Sequence, residues 1–161
     1  MPAMTPAELM AFLDEHFPQA GHQGLSIEHL DDTTIRVRFA AHARHLRPGG
    51  TISGPTLMWL VDLSFYLLLM GRLGPVAQAV TTNLNINFMR KPEPADLLGE
   101  GRLMKLGRAL AVGDFTIWSE RQDGAGGARH RDLLDSTAFK VRGNIVPLFQ
   151  AIDFARLFTS I

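Results

Sequence analysis

Asp62 is the residue best placed to do chemistry, because it interrupts an apolar run. It lies inside Thr56-Leu57-Met58-Trp59-Leu60-Val61-Asp62-Leu63-Ser64-Phe65-Tyr66-Leu67-Leu68-Leu69-Met70. Burying an ionised carboxylate is costly unless it is paired, hydrogen-bonded or wet. Carboxylates in such settings concentrate at functional sites, although structural networks hold them too. A purely structural Asp62 would bond Tyr66, one turn on, or a neighbouring strand. The second candidate is the start of the same run, Ser53-Gly54-Pro55. Ser53 is a good N-cap residue, and a proline two positions later suits a first helical turn. First-turn amides lack partners within the helix and carry the positive end of its dipole. Gly54 has no side chain to block approach, so its N–H can polarise a carbonyl oxygen as an oxyanion hole does. The alternative is that Gly54 only permits a tight turn.

Spacing decides how the two would cooperate. Gly54 and Asp62 are eight residues apart, which is about 12 Å along a helix. A reacting carbonyl must lie roughly 3 Å from both its oxyanion donor and its attacking group. One helix cannot do both. Two antiparallel copies can, with Gly54 of one subunit facing Asp62 of the other. If both act on one carbon, the protein is a dimer with two shared sites.

Other constellations are weaker. There is no Gly-x-Ser-x-Gly elbow for a serine triad. His42 and His45 lack a metal-ligand pattern around them and read as a surface loop. Gly99-Glu100-Gly101 does not continue into a dinucleotide fingerprint, and there is no phosphate loop. Arg90, Lys91 and Arg108 fall at strand ends, where they could meet phosphates, but exposed basic residues are more often simply solvated.

The chain that positions these residues has 161 amino acids, 46% hydrophobic and 20% charged, as expected of one globular domain with a full core. Lys+Arg and Asp+Glu are 16 each. That balance argues against a general nucleic-acid or membrane-surface role, since both need excess positive charge. The absence of cysteine excludes a disulfide scaffold, thiolate metal sites and a cysteine nucleophile. No signal-type segment opens the sequence, so a cytoplasmic protein is expected.

The pattern predicts a capped helix over 6–17, opened by the capping box Thr5-Pro6-Ala7-Glu8, and strands over 25–30 and 34–39. A loop over 40–52 leads to the central helix, closed by Gly71 and Gly74. Val80 to Met89 alternates, placing Val80, Thr82, Leu84, Ile86 and Phe88 on one face and Thr81, Asn83, Asn85 and Asn87 on the other. A hairpin over 97–106 and 109–120, a loop over 121–131, a last strand over 133–142 and an apolar tail, helical after Pro147, complete the order. A helix apolar on nearly every side belongs in a core, so segregated strands wrapping it give an α+β fold. One domain spans 1–161, with an N-terminal helix inside 1–20 and a C-terminal extension over 143–161.

These residues resemble the hotdog-fold acyl-CoA thioesterases, the branch with phenylacetate-pathway and 4-hydroxybenzoyl-CoA-type enzymes. The likeness runs from about Arg47 to Arg142. It is carried by Gly49-Gly50-Thr51-Ile52-Ser53-Gly54, Leu60-Val61-Asp62, Val80 to Met89 and Lys105-Leu106-Gly107-Arg108. It implies a long helix wrapped by an antiparallel sheet and active sites at a dimer interface, in a homodimer or a dimer of dimers. The family carboxylate, nucleophile or general base, falls on Asp62. The oxyanion glycine falls on Gly54, and a water-positioning Ser or Thr on Thr81. Arg47, Ser53, Tyr66, Arg90 and Arg108 are the expected substrate contacts. The chain departs from the family with Ser53-Gly54-Pro55 in place of His-Gly-Gly, and with Arg47 where many members have Asn or Gln. Arg47 could instead pair with Asp62 across the interface.

The resemblance implies hydrolysis of acyl-CoA to CoA and a carboxylic acid, with no metal or redox cofactor and no nucleic-acid or membrane partner. Its rivals are a non-catalytic acyl or acyl-CoA binding protein and a 3-hydroxyacyl thioester dehydratase. The dehydratases generally use a histidine near the helix, and this helix has none.

Overall fold

The computed structural model describes residues 1–76, 78–88, 94–107 and 110–119, together with the backbone of 139–147. The predicted loop over 121–131, the first part of the predicted last strand, Arg90, Arg108 and the tail beyond Pro147 lie outside the described residues.

Helix α1, Pro6–His16, begins with the reciprocal capping box expected of Thr5 and Glu8. Strands β1, Leu25–Leu30, and β2, Thr34–Phe39, form an antiparallel pair across a turn fixed by Asp31. Its carboxylate accepts from the Thr33 and Thr34 amides and the Thr33 hydroxyl. The His29 contact, then these hydrogen bonds, lower its pKa to about 2. The predicted entry loop contains a small hairpin of β3, Leu46–Arg47, and β4, Thr51–Ile52. Helix α2 spans Gly54–Leu73, and β5, Ala79–Asn87, follows it. β6, Leu97–Leu106, and β7, Ala111–Ser119, are the predicted hairpin; β8, Phe139–Pro147, is the last described strand.

Six strands form one antiparallel sheet in the order β1-β2-β6-β7-β8-β5. β8 runs beyond the expected end at 142 to Pro147, because β7 and β5 recruit Ile145, Val146 and Pro147 into the ladder. These residues therefore continue the strand instead of starting the tail. A proline at the last strand position is tolerated because the ladder need not continue past it.

α2 packs on the sheet with Leu57, Leu60, Val61, Phe65, Leu67, Leu68, Leu69 and Met70 buried. It runs past Gly71, the expected first terminator, and ends at Gly74, whose φ of +89° suits glycine. Gly71 stays helical and close-packed: a Cβ there would lie 2.9 Å from Leu30 Cδ2. At 20 residues the helix is long and apolar enough to cross a membrane, but most of it is buried inside this fold. It is not enclosed all round, however. Pro55, Met58 and Asp62, at helical spacing, form an open stripe in the single chain.

Aromatic rings laid over strand glycines fix the helix to the sheet. Phe65 and Phe115 meet with centroids 5.6 Å apart. A Cβ on Gly99 or Gly101 would stand 2.5 or 2.7 Å from the Phe115 ring. The Gly-x-Gly that matched no cofactor motif is thus a seat for a phenylalanine. At Gly113 a Cβ would stand 2.4 Å from Phe65 Cε1 and 2.7 Å from the Arg102 carbonyl oxygen. Gly113→Ala is therefore expected to destabilise the fold by about 1–3 kcal/mol, read as a lower urea midpoint at unchanged m-value.

Candidate functional site

The head of α2 is built to leave one amide unused. Ser53 is extended, with φ −74° and ψ 148°, and its Oγ accepts from the Thr56 N–H at 3.3 Å. The Ser53 carbonyl accepts from the Leu57 amide at 3.3 Å. Pro55 has no N–H to offer. Among the first-turn groups Gly54, Pro55, Thr56 and Leu57, only the Gly54 N–H is uncommitted. Ser53 thus caps the helix. A Cβ on Gly54 would lie 3.7 Å from Phe88 Cζ, so the Phe88 ring stands beside the candidate oxyanion position. Phe88, 55% exposed, escaped the sequence reading, although its place at the end of an alternating strand was visible there.

Two turns along the helix, Asp62 is exposed, not buried as its apolar setting suggested. The Thr81 hydroxyl on β5 donates to Asp62 Oδ1. A neighbouring strand is therefore a partner of this carboxylate. Simple alternation puts Thr81 on the face away from Leu84, and here the expectation fails. The β5–β8 pairing slips between Thr81 and Asn83, a β-bulge that re-aims the side chains before it. Ala79, Leu84 and Ile86 pack against the core, and Thr81 turns toward the helix with them. The bulge brings hydroxyl and carboxylate together.

Tyr66 is half-buried one turn past Asp62, and burial raises its phenol above the usual range, so it is protonated at neutral pH. Arg47 donates through Nε to Thr51 Oγ1 at 2.7 Å across the small β3–β4 hairpin. Its guanidinium is exposed and stands within the entry hairpin rather than against this subunit's Asp62. Among the described residues no group of three or more His, Asp or Glu could hold a metal ion.

The site is thus split. Gly54 and Phe88 mark one end of the helix–strand unit, Asp62 and Thr81 the other. Along the helix the two ends are about 12 Å apart. Each end can perform half of an acyl-transfer step: electrophilic stabilisation at one, proton acceptance or nucleophilic attack at the other.

A long helix in a six-stranded antiparallel sheet, with an uncommitted glycine amide at its head and a carboxylate at mid-length, defines a hotdog-fold protein. The sequence profile of the thioesterase superfamily matches residues 49–125. A presumptive thioesterase from Silicibacter sp. TM1040 is 40% identical over 91% of this chain and 94% of its own, with a TM-score of 0.70. The chain belongs to the thioesterase superfamily. A Haemophilus influenzae thioesterase shares the fold at 17% identity and TM-score 0.69, covering 89% of this chain and 90% of its own. So does the E. coli PaaI protein from the phenylacetic acid degradation operon, at 20% identity and TM-score 0.67, covering 88% and 91%. No curated protein matches the chain.

Proposed function

We propose that the protein hydrolyses acyl-CoA thioesters at two sites, each shared between paired subunits. The observation that carries this reading is the separation of one uncommitted Gly54 amide from the Asp62–Thr81 pair on a single rigid helix. The thioester oxygen rests on Gly54 N–H of one subunit. Asp62 of the partner subunit takes a proton from water, and the hydroxide adds to the carbonyl carbon. In the alternative covalent route Asp62 itself adds, and water then cleaves the mixed anhydride. Either way negative charge develops on the oxygen facing Gly54. Collapse breaks the C–S bond. In the general-base route the departing CoA sulfur takes the proton held by Asp62. In the covalent route it leaves as thiolate and takes a proton released by the water that cleaves the anhydride. Thr81, donating to one Asp62 oxygen, keeps its own lone pairs for a water hydrogen and so orients the attacking molecule.

The pairing we infer uses β5. Among the described strands it is bonded on one side only, by β8. An open edge with exposed apolar residues invites a second copy. Val80 at 46%, Phe88 at 55% and Met58 at 45% exposure lie along this side. Met58 is the midpoint of Gly54 and Asp62, so a two-fold axis passing near it exchanges the two ends of the helix. Such an interface is self-complementary, as two-fold contacts must be.

The reading is tested by CoA release from a panel of acyl-CoA thioesters, with the solution mass measured on the same sample. Turnover from a dimer or a dimer of dimers is expected. A monomer that turns over excludes the shared site, and saturable acyl-CoA binding without turnover selects a binding protein instead.

A further inference from the structure

The head of α2 is tied to a histidine on the turn that precedes the entry hairpin. That turn is a short 3-10 helix, Ala43–His45. The His45 carbonyl accepts from the Ser53 N–H at 2.9 Å and from the Thr56 hydroxyl at 3.4 Å. Thr56 also shares a 2.8 Å hydrogen bond with Ser53 Oγ. The peptide that bears the Gly54 N–H joins Ser53 to Gly54, so its position follows that of His45.

Reciprocal bonds close the turn. The His45 N–H donates to the His42 carbonyl at 2.8 Å, and the His42 N–H donates to His45 Nδ1 at 2.9 Å. The Arg44 Nε–H points at the other ring nitrogen, Nε2, from 3.1 Å. A neutral imidazole has one lone pair for these two donors. The His42 amide is fixed by the turn, whereas the exposed Arg44 side chain has water within reach. The lone pair therefore goes to the amide and the ring proton to Nε2. A second proton would remove the only acceptor and set a cation beside Arg44. Among the described residues, the charged or titratable groups that act on the ring are Arg44 and His42, both beside it in the turn. From β2 it meets only the Phe39 ring, edge-on at 4.8 Å. Burial, then the charges of Arg44 and His42, hold the imidazole below its usual pKa. At neutral pH the ring is uncharged and the turn is closed.

We propose that neutral His45 is a positioning residue: its Nδ1 locks the turn that holds the Ser53–Gly54 peptide, and protonation releases that lock. The proposal rests on the thioesterase reading above, in which the Gly54 N–H meets the thioester oxygen. Because the neutral ring is the accepting form, activity is present above the His45 pKa and lost as pH falls through it, below about 6.5.

The test follows kcat for CoA release between about pH 5 and pH 8. His45→Phe keeps a ring against Phe39 and removes the acceptor. It should lower kcat about tenfold at the alkaline end with KM within about twofold, since a misplaced oxyanion donor is felt in the transition state. Asn places an oxygen where Nδ1 stands and does not titrate, so His45→Asn should recover most of that loss and lack the wild-type inflection. A loss that Asn does not recover marks the ring as packing alone and overturns the proposal, as does an inflection that survives in His45→Asn. Independently of turnover, the Gly54 amide resonance, read in protein labelled with nitrogen-15 glycine, should titrate with that inflection in the wild type and stay flat there in His45→Asn. If no thioester is hydrolysed, the parent reading fails. The Gly54 resonance then supports the His45 lock if it titrates in the wild type alone and overturns it if the two proteins behave alike.

Discussion

Asp62→Asn is expected to reduce kcat/KM for every hydrolysed thioester by about 10²–10⁴-fold, with the fold intact. Asp62 is exposed, so the exchange creates no cavity and strips no core contact. The Asn Oδ1 can still accept the Thr81 hydroxyl, so the side chain keeps its position. What disappears is the ability to take a proton or to add to the carbonyl carbon. The loss should therefore fall on kcat, with KM nearly constant, since the residue is assigned to the reacting centre and not to ground-state binding. A CoA-release assay on both proteins, with circular dichroism as the check on folding, decides it. Equal rates would remove Asp62 from the chemistry and leave the Asp62–Thr81 bond as a tether between α2 and β5.

The sequence disclosed those features of this arrangement that depend on local chemistry. Thr5 and Glu8 announce a helix start because both halves of the capping box are side chains three residues apart. Alternation of Ile35, Val37 and Phe39 announces β2 because one strand face is buried. Ser53 and Pro55 announce the head of α2 for the same kind of reason. Tertiary effects remained hidden. Gly71 looks like a terminator, and only Leu30 packing on it explains why the helix continues to Gly74. Asp62 looks buried because its neighbours in sequence are apolar, yet it sits on the one stripe the single chain leaves open.

The Thr81 displacement is the most consequential of these. A bulge is a property of two strands, and nothing in Thr81-Thr82-Asn83 marks it without β8 alongside. Alternation assigned Thr81 to the asparagine face, whereas the family resemblance assigned it to the site. In the structure the bulge turns Thr81 toward the helix, where its hydroxyl donates to Asp62. The ring contacts of Phe39 with His45 and Trp59 were equally illegible, since the three come from a strand end, a short turn and a helix and no spacing rule connects them.

The second large effect concerns the partition of the site between subunits. Gly54→Pro removes the one uncommitted amide of the first turn, with circular dichroism as the check on folding, since residue 54 itself precedes Pro55 and a Cβ there disfavours helical backbone. Proline is accepted at the first helical position, and the residue before it must be extended, as Ser53 already is. The ring carbon replacing the glycine hydrogen meets Phe88 at ordinary contact distance. Loss of an oxyanion donor should lower kcat by about 10²–10³-fold. Mixing inactive Gly54→Pro and Asp62→Asn subunits, by co-expression or refolding together, then separates two geometries. In a shared site, each mixed dimer has one centre with an intact Gly54 from one chain and an intact Asp62 from the other. Its second centre carries both lesions. Random pairing of equal amounts makes half of the dimers mixed, so about one quarter of wild-type activity should return. If each subunit instead used its own Gly54 and Asp62, every centre in the mixture would carry one lesion and no activity would return. A helix that holds the two groups about 12 Å apart cannot bring both to one carbonyl carbon, which is why recovery is the expected result.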